Sequence, residues 1–258
     1  MMRALYTAAS GMMAQQTNID NISNNLANYQ STGYKKSRVS FEDLLYATME
    51  TPGGEATGAK TQIGMGVRTM STQRLFSQGQ LQETKDPYNV AIDGEGFFKV
   101  QTADGKTAYT RDGAFQLDGQ SGELRLATGA KLGIKIPKDM SNIEISADGK
   151  IMGTRLNGDG KPEQVGQLTV TRFLNPTGLE AVGGNLYVET PACGNKVEEV
   201  PGKNGTGVIA QGYLEKSNIN IVEEMINIVT AQRSFEMNQK GVQAADEMMR
   251  GVNNLQRG

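Results

Sequence analysis

The stretch LYTAASGMMAQQTNIDNISNNL, residues 5–26, decides the fold, because Leu5, Ala8, Met12, Gln15, Ile19, Ile22 and Leu26 recur at alternating spacings of three and four. Only the glutamine interrupts this heptad pattern. The same period returns at the other end of the chain, where Ile221, Ile228, Phe235, Val242 and Met249 recur every seven residues, with Ala231, Ala245 and Val252 on the offset position. Both apolar seams are narrow, so each helix asks for a partner helix rather than a broad globular core. The residues between them are rich in Gly and Asp-Gly, and strand signals replace helix signals. The fold class expected is α+β: long N- and C-terminal helices forming a coiled-coil domain, with a central, mainly antiparallel β body.

The first helix is predicted over about Arg3 to Asn28, stopped by the polar run Asn28-Tyr29-Gln30-Ser31-Thr32-Gly33, in which Gly33 suits a left-handed backbone. A second, shorter amphipathic piece follows at Phe41, Leu44, Leu45 and Thr48. Residues 51 to 66 are rich in Gly and Thr with few apolar anchors and read as an extended or mobile segment. From about Val67 to Gly212 short β-prone runs alternate with turns: Val90 to Ile92, Phe97 to Val100, Ala108 to Thr110, Leu124 to Leu126, Leu168 to Thr171 and Asn185 to Val188. Asp-Gly pairs at 93, 104, 112, 118, 148 and 159 can supply tight hairpin turns. The last helix begins at Asn220, a capping residue, with Glu223 and Glu224 in its first turn, and is predicted to reach about Leu255. The division expected is 1–30 with 217–258 as the helical domain, 31–70 as a bridging segment and 71–216 as the β-rich domain.

Composition narrows the function. With 26 basic and 28 acidic residues the formal charge is -2, and no basic stretch extends beyond Tyr34-Lys35-Lys36-Ser37-Arg38, which argues against a nucleic-acid surface. The chain has no histidine and no tryptophan, so the usual general base and the commonest nitrogen metal ligand are missing. Cys193 is the single cysteine and has no histidine to activate it. Gly94-Glu95-Gly96 precedes Phe97-Phe98 and reads as a turn rather than a dinucleotide fingerprint. Residues 155–166 faintly resemble a calcium loop, but Arg155 and Gly166 stand where the key carboxylates belong. No catalytic residue, cofactor or metal site is expected. The N terminus lacks the apolar run of a cleaved secretory signal, and no membrane span is expected.

Three separated stretches carry a resemblance. Ser23-Asn24-Asn25-Leu26-Ala27-Asn28 with Ser31-Thr32-Gly33-Tyr34-Lys35-Lys36 resembles the N-terminal signature of the bacterial flagellar rod and hook proteins. Ala91-Ile92-Asp93-Gly94-Glu95-Gly96-Phe97-Phe98 and Tyr109-Thr110-Arg111-Asp112-Gly113-Ala114-Phe115 resemble that family's first β domain. Residues 211–220, with Gln232-Arg233-Ser234-Phe235-Glu236, resemble its C-terminal signature. The opening Met2-Arg3-Ala4-Leu5-Tyr6 and the length are most similar to members that build the distal part of the rod, with proximal rod and hook-type subunits as the alternative.

The resemblance implies a structural subunit, exported through the flagellar type III apparatus and polymerised helically into a tube that carries torque. It implies neighbours among proximal rod proteins, the hook or hook-rod junction protein and the periplasmic and outer-membrane bushing rings. It assigns Leu5, Met12, Ile19, Ile22, Leu26, Ile221, Ile228, Phe235, Val242 and Met249 to an inter-helix assembly seam. Ala27, Asn28, Gly33, Tyr34 and Lys35 would form the bend leaving the inner helix, and residues 46 to 66 would bridge to neighbouring subunits. A secreted binding module trimerised by its helices, or an enzyme acting on cell wall, are the readings from other classes.

Overall fold

The computed structural model describes residues 2–50, 60–137, 139–155 and 162–255. The chain divides into two compact units, the first made of residues 1–27, 37–74 and 220–258 and the second of residues 28–36 and 75–219. The helices and the 37–74 segment therefore fall in one unit, where the sequence reading separated them.

In the first unit, helix α1 (Met2–Ala27) packs against helix α2 (Ile221–Leu255). Asn220 caps α2: the Val222 amide donates to its side-chain oxygen at 3.1 Å, which satisfies one of the unpaired donors of the first turn. The 37–74 segment forms strands β1 (Ser37–Asp43), β2 (Tyr46–Glu50), β3 (Lys60–Gly64) and β4 (Val67–Arg74), paired antiparallel as β1 with β4 and β2 with β3. The amphipathic piece read at Phe41 to Thr48 is thus strand, not helix. Phe41 lies in β1 and Thr48 in β2, with Leu44 and Leu45 between the two strands, so the four share no helical face. Of the segment read as mobile, residues 51–59 lie outside the described residues, and residues 60–64 are β3.

The second unit holds β5 (Leu81–Glu83), β6 (Val90–Asp93), β7 (Phe97–Gln101), β8 (Thr107–Thr110), β9 (Phe115–Leu117), β10 (Glu123–Leu126), β11 (Lys131–Lys135), β12 (Met140–Ile145), β13 (Lys150–Arg155), β14 (Pro162–Gln167), β15 (Val170–Phe173), β16 (Glu180–Gly183), β17 (Leu186–Val188), β18 (Lys196–Glu199), β19 (Val208–Gln211) and β20 (Tyr213–Glu215). One sheet runs β16-β17-β8-β7-β11-β10-β9, with β15 also paired to β7 and β18 to β15. A second runs β12-β13-β14, and β19 pairs β6 while β20 pairs β5. Every one of these ladders is antiparallel. The Asp-Gly turns at 104 and 148 close the β7–β8 and β12–β13 hairpins with Gly105 and Gly149 at positive φ. The turn read at 159 lies outside the described residues, as does the centre of the calcium-like run.

Alternation along β6, β7, β8, β10 and β15 sends Val90, Ile92, Phe98, Val100, Ala108, Leu124, Leu126 and Val170 into one apolar core. A second cluster holds Phe97, Tyr109, Phe173, Leu179, Tyr187 and Cys193, with Phe76 against it. Its rings meet edge to face, Phe76 with Phe97 at 5.4 Å and Tyr109 with Phe173 at 4.8 Å between centroids. Cys193 is buried here and its sulfur accepts from the Thr190 amide, the setting of a packing residue rather than an exposed nucleophile.

Candidate functional site

The helix pair presents two kinds of surface. Among the described residues of α1 and α2 the buried ones are Ala14, Ile22, Asn25, Glu224, Ala231 and Ala245. At Gly11 of α1 a β-carbon would stand 2.9 Å from the Asn238 amide nitrogen of α2, so the two helices sit close there. Leu5, Met12, Ile19 and Leu26 of α1 and Ile221, Ile228, Phe235, Val242 and Met249 of α2 are half-buried, and the offset positions Ala231 and Ala245 lie deepest. Val252, the third offset position, is exposed.

The opposite side of α2 is apolar and uncovered in the single chain. Val222 is 66% exposed, Met225 53%, Ile226 60% and Val229 48%, and Met237 and Met248 continue exposed further along. On α1, Tyr6 and Met13 are exposed one heptad apart. Burying the first half of α2 on this side would remove four large apolar side chains from water, at roughly 25 cal/mol per Å². The mean hydropathy of the whole chain is -0.45, so this stripe is not what bulk composition dictates. No helix is long and apolar enough to cross a membrane, and no group of side chains suited to hold a metal ion occurs, both among the described residues.

Two polar clusters fix the segments that follow α1 and precede α2. In the first unit, Asn21 and Asn25 on the last turns of α1 both donate to the Ser37 carbonyl, at 2.9 and 2.8 Å, and the Ser37 amide donates back to Asn25 Oδ1 at 3.0 Å. The Ser37 hydroxyl lies 2.6 Å from Asn21 Oδ1, so the start of β1 is stitched to the helix at three atoms. Ala27, the last residue of α1, is exposed.

In the second unit, Asn28 opens a turn in which the Ser31 amide donates to its carbonyl. Gly33 adopts φ 67°, as read from the sequence, and is buried against the Arg111-Asp112 backbone, where a β-carbon would meet the Asp112 nitrogen at 2.6 Å. Tyr34 is buried beside it. The Lys35 ammonium is fully buried, donating to Glu215 Oε1 at 2.5 Å and to the Ser77 carbonyl at 2.7 Å. Arg111 Nη1 reaches the other carboxylate oxygen of Glu215 at 3.3 Å and the Gly94 carbonyl at 2.9 Å, while its guanidinium lies over the Phe97 ring. Burial pushes the Lys35 pKa down, opposed by the attraction of Glu215 and helped by the like charge of Arg111. A carboxylate shared by two cations and a backbone amide ties three chain segments together.

The sequence reading names Gly33, Tyr34 and Lys35 but not the residues they meet. Arg111, Glu215 and Asn218 lie within the stretches that carry the resemblance, but nothing local pairs them with Lys35 and Lys36: Lys35 and Glu215 are 180 positions apart.

Against known protein families, residues 5–35 match the "Flagella basal body rod protein" model and residues 91–153 the "Flagellar hook protein FlgE/F/G D1 domain" model. Residues 210–255 match the "Flagellar basal body rod FlgEFG protein C-terminal" model. The chain is 44% identical over 262 residues to the flagellar basal-body rod protein FlgG of Buchnera aphidicola from Schizaphis graminum, covering 99% of this chain and 100% of that one. It is 44% identical over 266 residues to FlgG of Borreliella burgdorferi and 38% identical over 270 residues to FlgG of Bacillus subtilis, with 100% of both chains covered in each case.

Proposed function

The chain belongs to the flagellar basal-body rod protein family, as a structural rod subunit most similar to FlgG, and from that premise we propose that it polymerises helically as the distal rod, the tubular shaft carrying torque from motor to hook. The observation that supports polymerisation in this chain is the uncovered apolar side of α2 at Val222, Met225, Ile226 and Val229, on a helix whose other side already packs on α1. In the polymer this side meets helices of neighbouring subunits and the helical layer becomes a coiled-coil tube, with Leu5, Met12, Ile19, Ile22, Leu26, Ile221, Ile228, Phe235, Val242 and Met249 at its seams. Residues 46 to 66 bridge to adjacent copies. The β-rich second unit forms the outer layer facing the bushing rings in the periplasmic space. Proximal rod proteins lie below, and the hook or hook-rod junction protein above. Export runs through the flagellar type III apparatus without a cleaved signal peptide. The role is architectural and needs no catalytic group.

Electron microscopy of basal bodies from cells lacking the gene tests this reading. Truncated rods without hook and outer rings are expected. Complete rods lacking only the hook move the subunit outward along the axis, and intact basal bodies overturn the proposal.

A further inference from the structure

The chain passes between its two units four times, after residues 27, 36, 74 and 219. On the side of the second unit, three of these passages are tied to one another directly. The Lys36 amide donates to Asn218 Oδ1 at 2.7 Å, the Leu75 amide donates to the Lys36 carbonyl at 2.8 Å, and Asn218 Nδ2 donates to the Leu75 carbonyl at 2.8 Å. Lys36, Leu75 and Asn218 thus form a closed ring of hydrogen bonds at the roots of three segments that are far apart in sequence. The same Asn218 amide reaches the Ser77 carbonyl and hydroxyl at 3.2 and 2.9 Å.

Beneath the ring sits the buried ion cluster. Lys35 donates to Ser77 O and Glu215 Oε1, the Gly79 amide donates to the same carboxylate oxygen at 2.9 Å, and Arg111 holds the other oxygen. The fourth passage, entering at Asn28, is brought in through the Gly33 amide, which donates to the Glu215 carbonyl at 2.8 Å. Gly79 fits only as glycine, because a β-carbon would fall 1.9 Å from the Lys216 carbonyl oxygen. Lys35 thus touches segment 75–79 and β20, and Glu215 touches segments 28–36 and 75–79 together with Arg111. The Lys35, Arg111 and Glu215 side chains are buried, so their bonds depend on one another, since removing one partner leaves a buried charge short of a contact; the half-buried Lys36, Leu75 and Asn218 join this cluster through Lys35 and the shared Ser77 carbonyl.

We propose that Lys35, Glu215 and Asn218 form a clasp that joins the roots of all the connecting segments into one cooperative block, opening and closing as a unit rather than bond by bond. Its use, letting the second unit take up load through every connecting segment at once, rests on the rod reading above. The cooperativity itself does not depend on that reading and can be measured on the isolated full-length chain.

Native-state hydrogen exchange of the full chain, resolved by residue, tests the proposal in Glu215→Gln and Asn218→Ala variants. In Glu215→Gln the Gly79 amide keeps a neutral oxygen as acceptor, while Lys35 and Arg111 lose the carboxylate charge that holds them. The proposal requires the Leu75 amide, whose own acceptor Lys36 O is untouched, to exchange faster by about tenfold or more, while amides of β7 and β8 keep wild-type rates. A Leu75 amide at its wild-type rate overturns the clasp. If β7 and β8 accelerate equally, the change is global, and Asn218→Ala decides: Gly33, whose acceptor Glu215 O is intact, must accelerate with Lys36 while β7 and β8 do not. An unchanged Gly33, or global acceleration in this variant too, overturns the proposal. Because deletion of the gene tests the rod reading separately, truncated basal bodies together with an unchanged Leu75 amide would reject the clasp alone.

Discussion

Gly11 of α1 faces Asn238 of α2 so closely that a β-carbon on Gly11 would lie 2.9 Å from the Asn238 side-chain nitrogen and 3.3 Å from its amide carbon. The neighbour is the far end of a flexible side chain, so Gly11→Ala is accommodated by a small swing of Asn238 and replaces a poor helix former by the best, a gain of up to about 0.8–1.0 kcal/mol. Gly11→Leu has no such escape and pushes the helices apart, costing about 1–3 kcal/mol. Urea unfolding of the purified chain should rank alanine at or above wild type and leucine below it; equal stability of the three proteins would mean that the helices do not approach at this point.

The uncovered side of α2 gives the opposite pattern. Val222 and Ile226 are exposed in the single chain, so Val222→Gln with Ile226→Gln should change its unfolding free energy by no more than about 0.5 kcal/mol per site. If this side joins neighbouring subunits, the same double variant loses its ability to complement motility and to form rods visible in isolated basal bodies. Normal rods from the double variant would remove this stripe from the assembly surface.

What was legible in the chain follows from how locally each feature is written. The helices announce themselves by period and, for α2, by the Asn220 cap, and the strands β6, β7, β8, β10, β15 and β17 by short apolar runs between turn residues. The 37–74 segment is harder, since Phe41, Leu44 and Leu45 have the spacing of a helix face, while residues 37–43 pair with residues 67–74 and the two leucines fall between strands. The residues assigned to the seam are half-buried in the single chain, apart from buried Ile22. The clasp was unreadable for a simpler reason: Lys35 looks like one more cation in Tyr34-Lys35-Lys36, and nothing within 100 residues of it identifies Glu215 as its partner.

Phe97 is the ring shared by most contacts of the aromatic cluster, meeting Phe76 at 5.4 Å, Phe173 at 5.8 Å and Tyr187 at 6.1 Å, with the Arg111 guanidinium 5.2 Å from its centroid. Phe97→Ala leaves a cavity among rigid rings and removes the aromatic face under a buried cation. A loss of about 3–5 kcal/mol in unfolding free energy is expected. Phe97→Leu, which keeps most of the volume but not the ring face, should fall between the two. A loss below about 1 kcal/mol for the alanine variant would show that the cluster collapses around the gap and is not rigidly packed.

Asp112 supplies a pH signature. Its carboxyl is largely buried, and burial raises its pKa against the lowering effect of the Ala114 amide, which donates to Oδ1 at 3.0 Å. The neighbouring Arg111 offers no relief, since its guanidinium is directed to Gly94 O and Glu215. A carboxyl whose pKa is higher folded than unfolded binds a proton more readily in the folded state. Its contribution to stability is therefore fully present below the unfolded pKa and is lost as pH rises through the folded one. At neutral pH the wild-type chain carries that penalty, whereas an asparagine, uncharged at every pH, still accepts from Ala114. Asp112→Asn should thus be more stable than wild type at pH 7, and the difference should shrink steadily as the solution is acidified through the carboxylate range. Paired urea titrations across that range test it; a constant difference, or one that grows on acidification, would show that the Asp112 charge is better solvated than its burial implies.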